Sequence, residues 1–372
     1  MLKYVPLKMK QWTRIIAGNI LVLVLLLVVI EGLASYFLLV YDITTTLPSA
    51  ERLHTRYDPD LGWAHIPNIH IPDMYGSGVY LRTNSQGFRN NHDFSATVPN
   101  GKSRVICAGN SFTLGYGVDN DHTWCQRLTS LDPRLETVNM GQGGYGVDQV
   151  YLWFKRDSGK LEHDVHLLAF ITTDFFRMQA SKFAGYGKPV IKIEEGKLVV
   201  RNVPVPMASY GFTWLLARRH HFDRLRTSEF LRRALRSDRA SRSDTTNRTF
   251  KDKNEETRNV LVKIFEELKY LNEKHSSKLI LVYLPHPSDL LDNGPAEWIQ
   301  FVERTSRALD IPLIDLLSHF RSLPYEDTVN LFIPKAELNY PGAAGHLNDQ
   351  GNEVVARMIY KELKKDLSPP QL

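Results

Sequence analysis

The stretch Arg104-Val105-Ile106-Cys107-Ala108-Gly109-Asn110-Ser111-Phe112-Thr113-Leu114-Gly115-Tyr116-Gly117 decides how this chain is read. Residues 104–108 form a short apolar run, the pattern of a strand buried on both faces. The run stops at Gly109, and a serine follows within two residues. A serine leaving a strand can present its hydroxyl above the sheet edge. The flanking glycines let backbone N–H groups approach a reacting carbonyl.

Working outward, the same alternation recurs. Residues 122–131 have helical spacing and 135–140 read as a second strand. Residues 148–156 are helical, and 165–171 form a third apolar strand. Residues 251–274 place Val260, Ile264, Leu268 and Leu271 on one helical face. A strand at 279–284, a helix at 297–309, a strand at 312–316 and a closing helix at 352–367 complete the series. Strands alternating with helices predict a three-layer α/β/α fold around a parallel sheet. One insertion, about 178–248, interrupts it. It opens with an expected hairpin turning at Glu195-Gly196 and runs into an arginine-rich stretch over 218–242. That stretch reads as a partly solvated helical lid, with contact to a membrane surface or an anionic glycan as the alternative.

Ahead of the fold, residues 15–41 are apolar, with an unbroken aliphatic centre at 20–30. At 1.5 Å per residue such a helix spans about 40 Å, enough to cross a bilayer with some tilt. Four of the five net positive charges are Lys3, Lys8, Lys10 and Arg14, with no acid among them. The positive-inside rule then predicts residues 1–14 in the cytoplasm, 15–41 as a single-pass anchor and 42–56 as a linker. Residues 57–372 are expected outside, in the periplasm or beyond the cell. A cleaved signal peptide ending near Gly32-Leu33-Ala34 is the rival reading. The rest of the chain is close to neutral, which argues against nucleic acid as a partner. Two cysteines, Cys107 and Cys125, build neither a disulfide framework nor a cysteine-based metal site.

Catalytic groups of open parallel sheets gather where strands end. Besides Ser111, two segments reach that edge. One is Asn139-Met140-Gly141-Gln142-Gly143-Gly144-Tyr145-Gly146, whose glycines permit close backbone approach to a ligand. The other is Gly345-His346-Leu347-Asn348-Asp349-Gln350-Gly351, just before the closing helix. A histidine there can remove the serine proton. His286, between two prolines, reads as a loop residue and Asp315 as a helix or turn cap.

These blocks, in this order, resemble the first, second and fifth blocks of the SGNH (GDSL-like) hydrolases. Asn84-Ser85-Gln86-Gly87-Phe88-Arg89 is similar to the lead-in of the membrane-anchored bacterial envelope type. The resemblance implies Ser111 as nucleophile and His346 as general base. It implies an oxyanion hole from the N–H groups of Ser111 and Gly144 with a side-chain donor at Thr173. It implies no metal or organic cofactor. Members are esterases or acyltransferases acting on acylated small molecules, glycans or lipids, some beside envelope polysaccharide machinery.

Two positions depart from the pattern. Thr173 stands where the family offers asparagine, and Ala343 where it places the aspartate three residues before the histidine. Losing an oxyanion donor costs about 10²–10³ in turnover. Losing the acid of a serine-protease triad costs about 10⁴. Thr172 or Asp174 can replace Thr173, and Glu337 or a backbone carbonyl the missing acid. Asp349 lies where a helix cap is expected. The alternative is a catalytically inactive relative that binds glycan or scaffolds an envelope complex.

Overall fold

Five parallel strands carry the fold: β1 (Ser103–Gly109), β2 (Leu135–Gly141), β3 (Val165–Phe170), β4 (Lys278–Tyr283) and β5 (Leu313–Asp315). They lie in the order β5-β4-β3-β1-β2. Chain progress reverses between β1 and β3, so the crevice at their C-terminal ends is the place for a ligand. Register levels those ends, because Gly109 pairs with Gly141 on one side and Ala169 on the other.

The computed structural model describes residues 7–45, 51–183, 186–206, 227, 244–290, 296–334 and 343–365. The helices used below are α1 (Leu7–Thr45), α2 (Ser111–Leu114), α3 (Trp124–Leu131), α4 (Val147–Asp157), α5 (Thr172–Arg177), α6 (Asp244–Lys274), α7 (Ala296–Ala308) and α8 (Asp349–Leu363).

The period-2 alternation of the strands builds two cores. Ile106, Ala108, Leu168, Phe170, Leu281 and Tyr283 face Phe154 of α4, Phe265 of α6 and Trp298 of α7. Val105, Cys107, Leu167, Ala169, Ile280 and Val282 face Trp124 of α3 and Val355 and Ile359 of α8. This is the three-layer α/β/α architecture that the alternation predicts. Three boundaries move for local reasons. The first turn of α3 starts at Trp124 because the Thr123 side chain caps it, accepting from Gln126 N. The fifth strand ends at Asp315, whose carboxylate caps the next helix at Ser318 N. The closing helix starts three residues early, because Asn348 accepts from Gly351 N at 2.9 Å. Asn348, not Asp349, is therefore the cap, and Asp349 pairs with Arg127.

The chain divides into two units, Met1–Pro48 with Ser209–Asn247, and Ser49–Ala208 with Arg248–Leu372. In the first, α1 contains an apolar run, Arg14–Phe37, of 24 residues. At 1.5 Å each these span about 36 Å, so the run is long and apolar enough to cross a bilayer core. In the second lie the sheet and the hairpin Val190–Glu194 with Lys197–Arg201. The hairpin turns through Glu195 and Gly196, both at positive φ, as a tight two-residue turn requires. Of the arginine-rich stretch 218–242, all but Thr227 lies outside the described residues, as does Glu337.

Candidate active site

Gly109 ends β1 where a side chain has no room, since a Cβ there would lie 2.6 Å from Ala169 O. Asn110 then leaves the strand and caps α2, its Oδ1 accepting from Phe112 N at 2.8 Å. Ser111 is thus the first residue of a one-turn helix at the sheet edge, only 4% exposed. Asn110 is itself held: its Nδ2 donates to Asp174 Oδ2 at 2.6 Å. Asn139, at the end of β2, steadies the same turn by donating to Thr113 O at 3.0 Å.

His346, 235 positions along the chain, meets Ser111 here. Its Nε2 lies 2.7 Å from Ser111 Oγ, and its Nδ1 lies 3.2 Å from Ala343 O. With the Nδ1 proton donated to that carbonyl, Nε2 is free to accept the serine proton. The imidazole is sandwiched between the rings of Phe112 and Tyr116, with centroids 4.6 and 5.1 Å away. Burial pushes it down to about 3, and Arg177 and His286 nearby add to the effect, against the upward pull of Ala343 O. The backbone carbonyl at 343 orients the ring but adds no negative charge.

The glycine loop forms the second wall. Gly144 sits at φ +76°, and a Cβ there would fall 2.3 Å from the Phe183 ring. The loop is tied from behind by Trp63 Nε1 to Gly143 O at 2.9 Å and by Gln142 N to Gly109 O at 3.0 Å. The backbone N–H groups of Ser111 and Gly144 have no acceptor among the described residues. The three side chains that open α5 divide their work. Thr172 bonds to Tyr283 and to Asp289, and Asp174 to Asn110, Ile171 N and Arg177. Thr173, half-buried, is the one with no such bond among the described residues. Burial raises the Asp174 carboxyl to about 6, with Arg177 and two hydrogen-bond donors opposing.

No family model and no curated protein matches this chain. Solved structures do. A lipolytic G-D-S-L family member from Veillonella parvula is 11% identical, with 71% of this chain and 99% of that one covered and a TM-score of 0.39. A lipase/acylhydrolase from Enterococcus faecalis is 12% identical over 73% and 100% of the two chains, TM-score 0.40. The acetyl xylan esterase AlAXEase is 14% identical over 70% and 99%, TM-score 0.40.

The remaining candidates make no hydrogen bond to Ser111 or His346 among the described residues. His286 follows β4, its Nδ1 bound to Ser288 Oγ at 2.7 Å and its ring 5.7 Å from that of Phe112. Asp315 is the helix cap already described. Cys107 and Cys125 are free, buried neighbours, and burial pushes the Cys107 thiol up. Among the described residues no group of three His, Cys, Asp or Glu is placed to hold a metal ion. Two supports were not read from the sequence. Arg89, fully buried, donates to Leu114 O, Gly115 O, Val118 O and Asn120 Oδ1, all between 2.6 and 2.8 Å. It holds the exit of α2. The other is Arg177, whose signal was its place four residues after Thr173 and three after Asp174 on one helical turn.

Proposed function

We propose that this chain is a serine esterase or O-acyltransferase of the SGNH type, working through an acyl-Ser111 intermediate. The observation that carries this reading is the 2.7 Å contact between Ser111 Oγ and His346 Nε2. His346 takes the hydroxyl proton as Oγ bonds to the acyl carbon. The carbonyl oxygen becomes an oxyanion held by the N–H groups of Ser111 and Gly144, with the Thr173 hydroxyl as third donor. As the ester C–O bond breaks, the imidazolium returns its proton to the leaving alcohol. A water, or a second alcohol such as a sugar hydroxyl, then gives His346 its proton and attacks the acyl-serine. The Ser111 Oγ–acyl bond breaks as that proton passes back to Ser111, and acid or new ester departs.

Residues 15–41 act as a signal anchor with residues 1–14 in the cytoplasm. Residues 57–372 work outside, on acylated glycans, lipids or small molecules. The basic flank and the apolar run of α1 support this placement. A second reading, a silent glycan-binding or scaffold protein, draws on Ala343 and on an imidazole whose weak basicity suits a slow base. A fluorophosphonate probe separates them. The esterase reading expects labelling of the full chain that disappears in Ser111→Ala, and acetyl ester hydrolysis that disappears in His346→Ala. Absence of both in the unmutated chain leaves the silent reading.

A further inference from the structure

Arg177 closes α5 with more hydrogen-bonding capacity than its neighbours use. Nη1 donates to Asp174 Oδ1 at 2.6 Å and to Tyr145 O at 3.1 Å. Nε is shielded from water and so closed to a ligand, whereas Nη2 is not among the shielded atoms and has no acceptor among the described residues. A guanidinium N–H donates to a carboxylate oxygen in a charge-assisted bond. An unmatched, partly exposed charged donor is expected to meet a ligand or water.

Its place ties this residue to the expected oxyanion donors. Arg177 lies four residues after Thr173, one turn along the same face of α5. Its guanidinium stacks 5.1 Å above the Phe183 ring, the ring that fills the space beside Gly144. Tyr145 O, which it binds, belongs to the residue after Gly144. The cation therefore borders two of the three expected oxyanion donors, Thr173 and Gly144. Asp174 offsets its charge in part but is shared with Asn110 Nδ2 and Ile171 N. Arg177 and His286 are the charged or titratable side chains that bear most on His346, and neither is an acid.

We propose that Arg177 is a specificity-determining residue whose free Nη2 donor binds a carboxylate on the substrate, so that the preferred ester is one bearing a carboxylate near its carbonyl. The proposal rests on the esterase reading for its kinetics but not for its binding. Such a carboxylate can belong to the alcohol, as in an O-acetylated uronic acid, or to the acyl group, as in a succinyl half-ester.

The test uses the full chain in neutral detergent. O-acetylated methyl glucuronate is compared with O-acetylated methyl glucoside, and p-nitrophenyl hemisuccinate with p-nitrophenyl butyrate. One charged substrate is expected to exceed its neutral partner in kcat/KM by about 10- to 100-fold, the worth of a charge-assisted pair. Which pair does so identifies the source of the carboxylate. Arg177→Gln brings that ratio to about one, and Arg177→Lys, which keeps the charge opposite Asp174, retains part of it. Calorimetry of Ser111→Ala with glucuronate and succinate, each against its uncharged counterpart, reads binding without turnover. Ratios near one for both pairs, with no carboxylate preference in calorimetry, overturn the proposal. Carboxylate binding that Arg177→Gln abolishes, in a protein with no hydrolysis, upholds it while sinking the esterase reading.

Discussion

At Ala343 the carbonyl meets the imidazole Nδ1 and the side chain sits among apolar groups. The methyl group is fully buried in a small apolar cluster with Met74, Leu81, Leu114 and Tyr116. It lies close enough to Gly117 that a Cβ there would be 3.3 Å away. Placing an acid here by Ala343→Asp therefore buries a carboxylate among apolar groups instead of delivering it to Nδ1. Burying an unpaired charge costs several kcal/mol. The expected outcome is a melting temperature lowered by several degrees with no gain in ester turnover; a gain would show that the acid can reach the ring. His346 makes a second prediction. Because the folded protein holds it neutral down to about 3, its protonation places no limb near 6.5. For a neutral ester, kcat/KM is expected to stay on a plateau from pH 7.5 to 5. A tenfold fall across that range, absent from an Asp174→Asn control, would contradict the burial argument.

At the scale of elements, the short helix α2 is the part most dependent on outside support. Four residues form one turn, which has no stability of its own. It is held at its start by Asn110 and Asp174, and at its end by Arg89 and Asn139. Arg89 has no carboxylate partner in its bonds; burial lowers its pKa, and four carbonyls and one amide oxygen share its donors. Lysine at this position supplies three donors from one point and cannot span the same acceptors. Arg89→Lys is expected to lower stability by about 2–4 kcal/mol, as orphaned buried carbonyls do. Turnover should fall with it, read by urea unfolding and by steady-state kinetics. Unchanged values would mean that the turn is held without it.

For the whole molecule, acid is expected to act chiefly through imidazoles. His54, His65, His166 and His346 are all pushed below their ordinary value, first by burial, with His65 at about 4. A group lowered on folding contributes stability above its unfolded pKa and loses it as pH falls through the interval toward the folded one. Asp174, raised to about 6, works oppositely: its contribution is present below about 3.8 and lost as pH rises through 6. His163 and His286 are lowered too, and Asp289 is raised like Asp174; six imidazoles outweigh two carboxyls, so the melting temperature is expected to drop between pH 6.5 and 4, with His65→Asn reducing the slope. A flat or rising profile would remove buried neutral histidine as the cause.

Much of this was open to a reader of residues alone. The α/β layering follows from strand and helix periods, which are local and leave their mark within a dozen positions. The apolar run of α1 follows likewise from composition, and Ser111 and His346 were marked out as loop residues at strand and helix ends. Their meeting at 2.7 Å depends on the sheet order, which joins segments separated by most of the chain. So does the contact of His346 Nδ1 with Ala343 O, because every residue has a carbonyl and only the turn's shape selects this one. Arg89 and Arg177 were legible as charges but not as supports, since what a guanidinium does is set by which acceptors surround it. Periodicity determined the layers; through-space proximity decided the site.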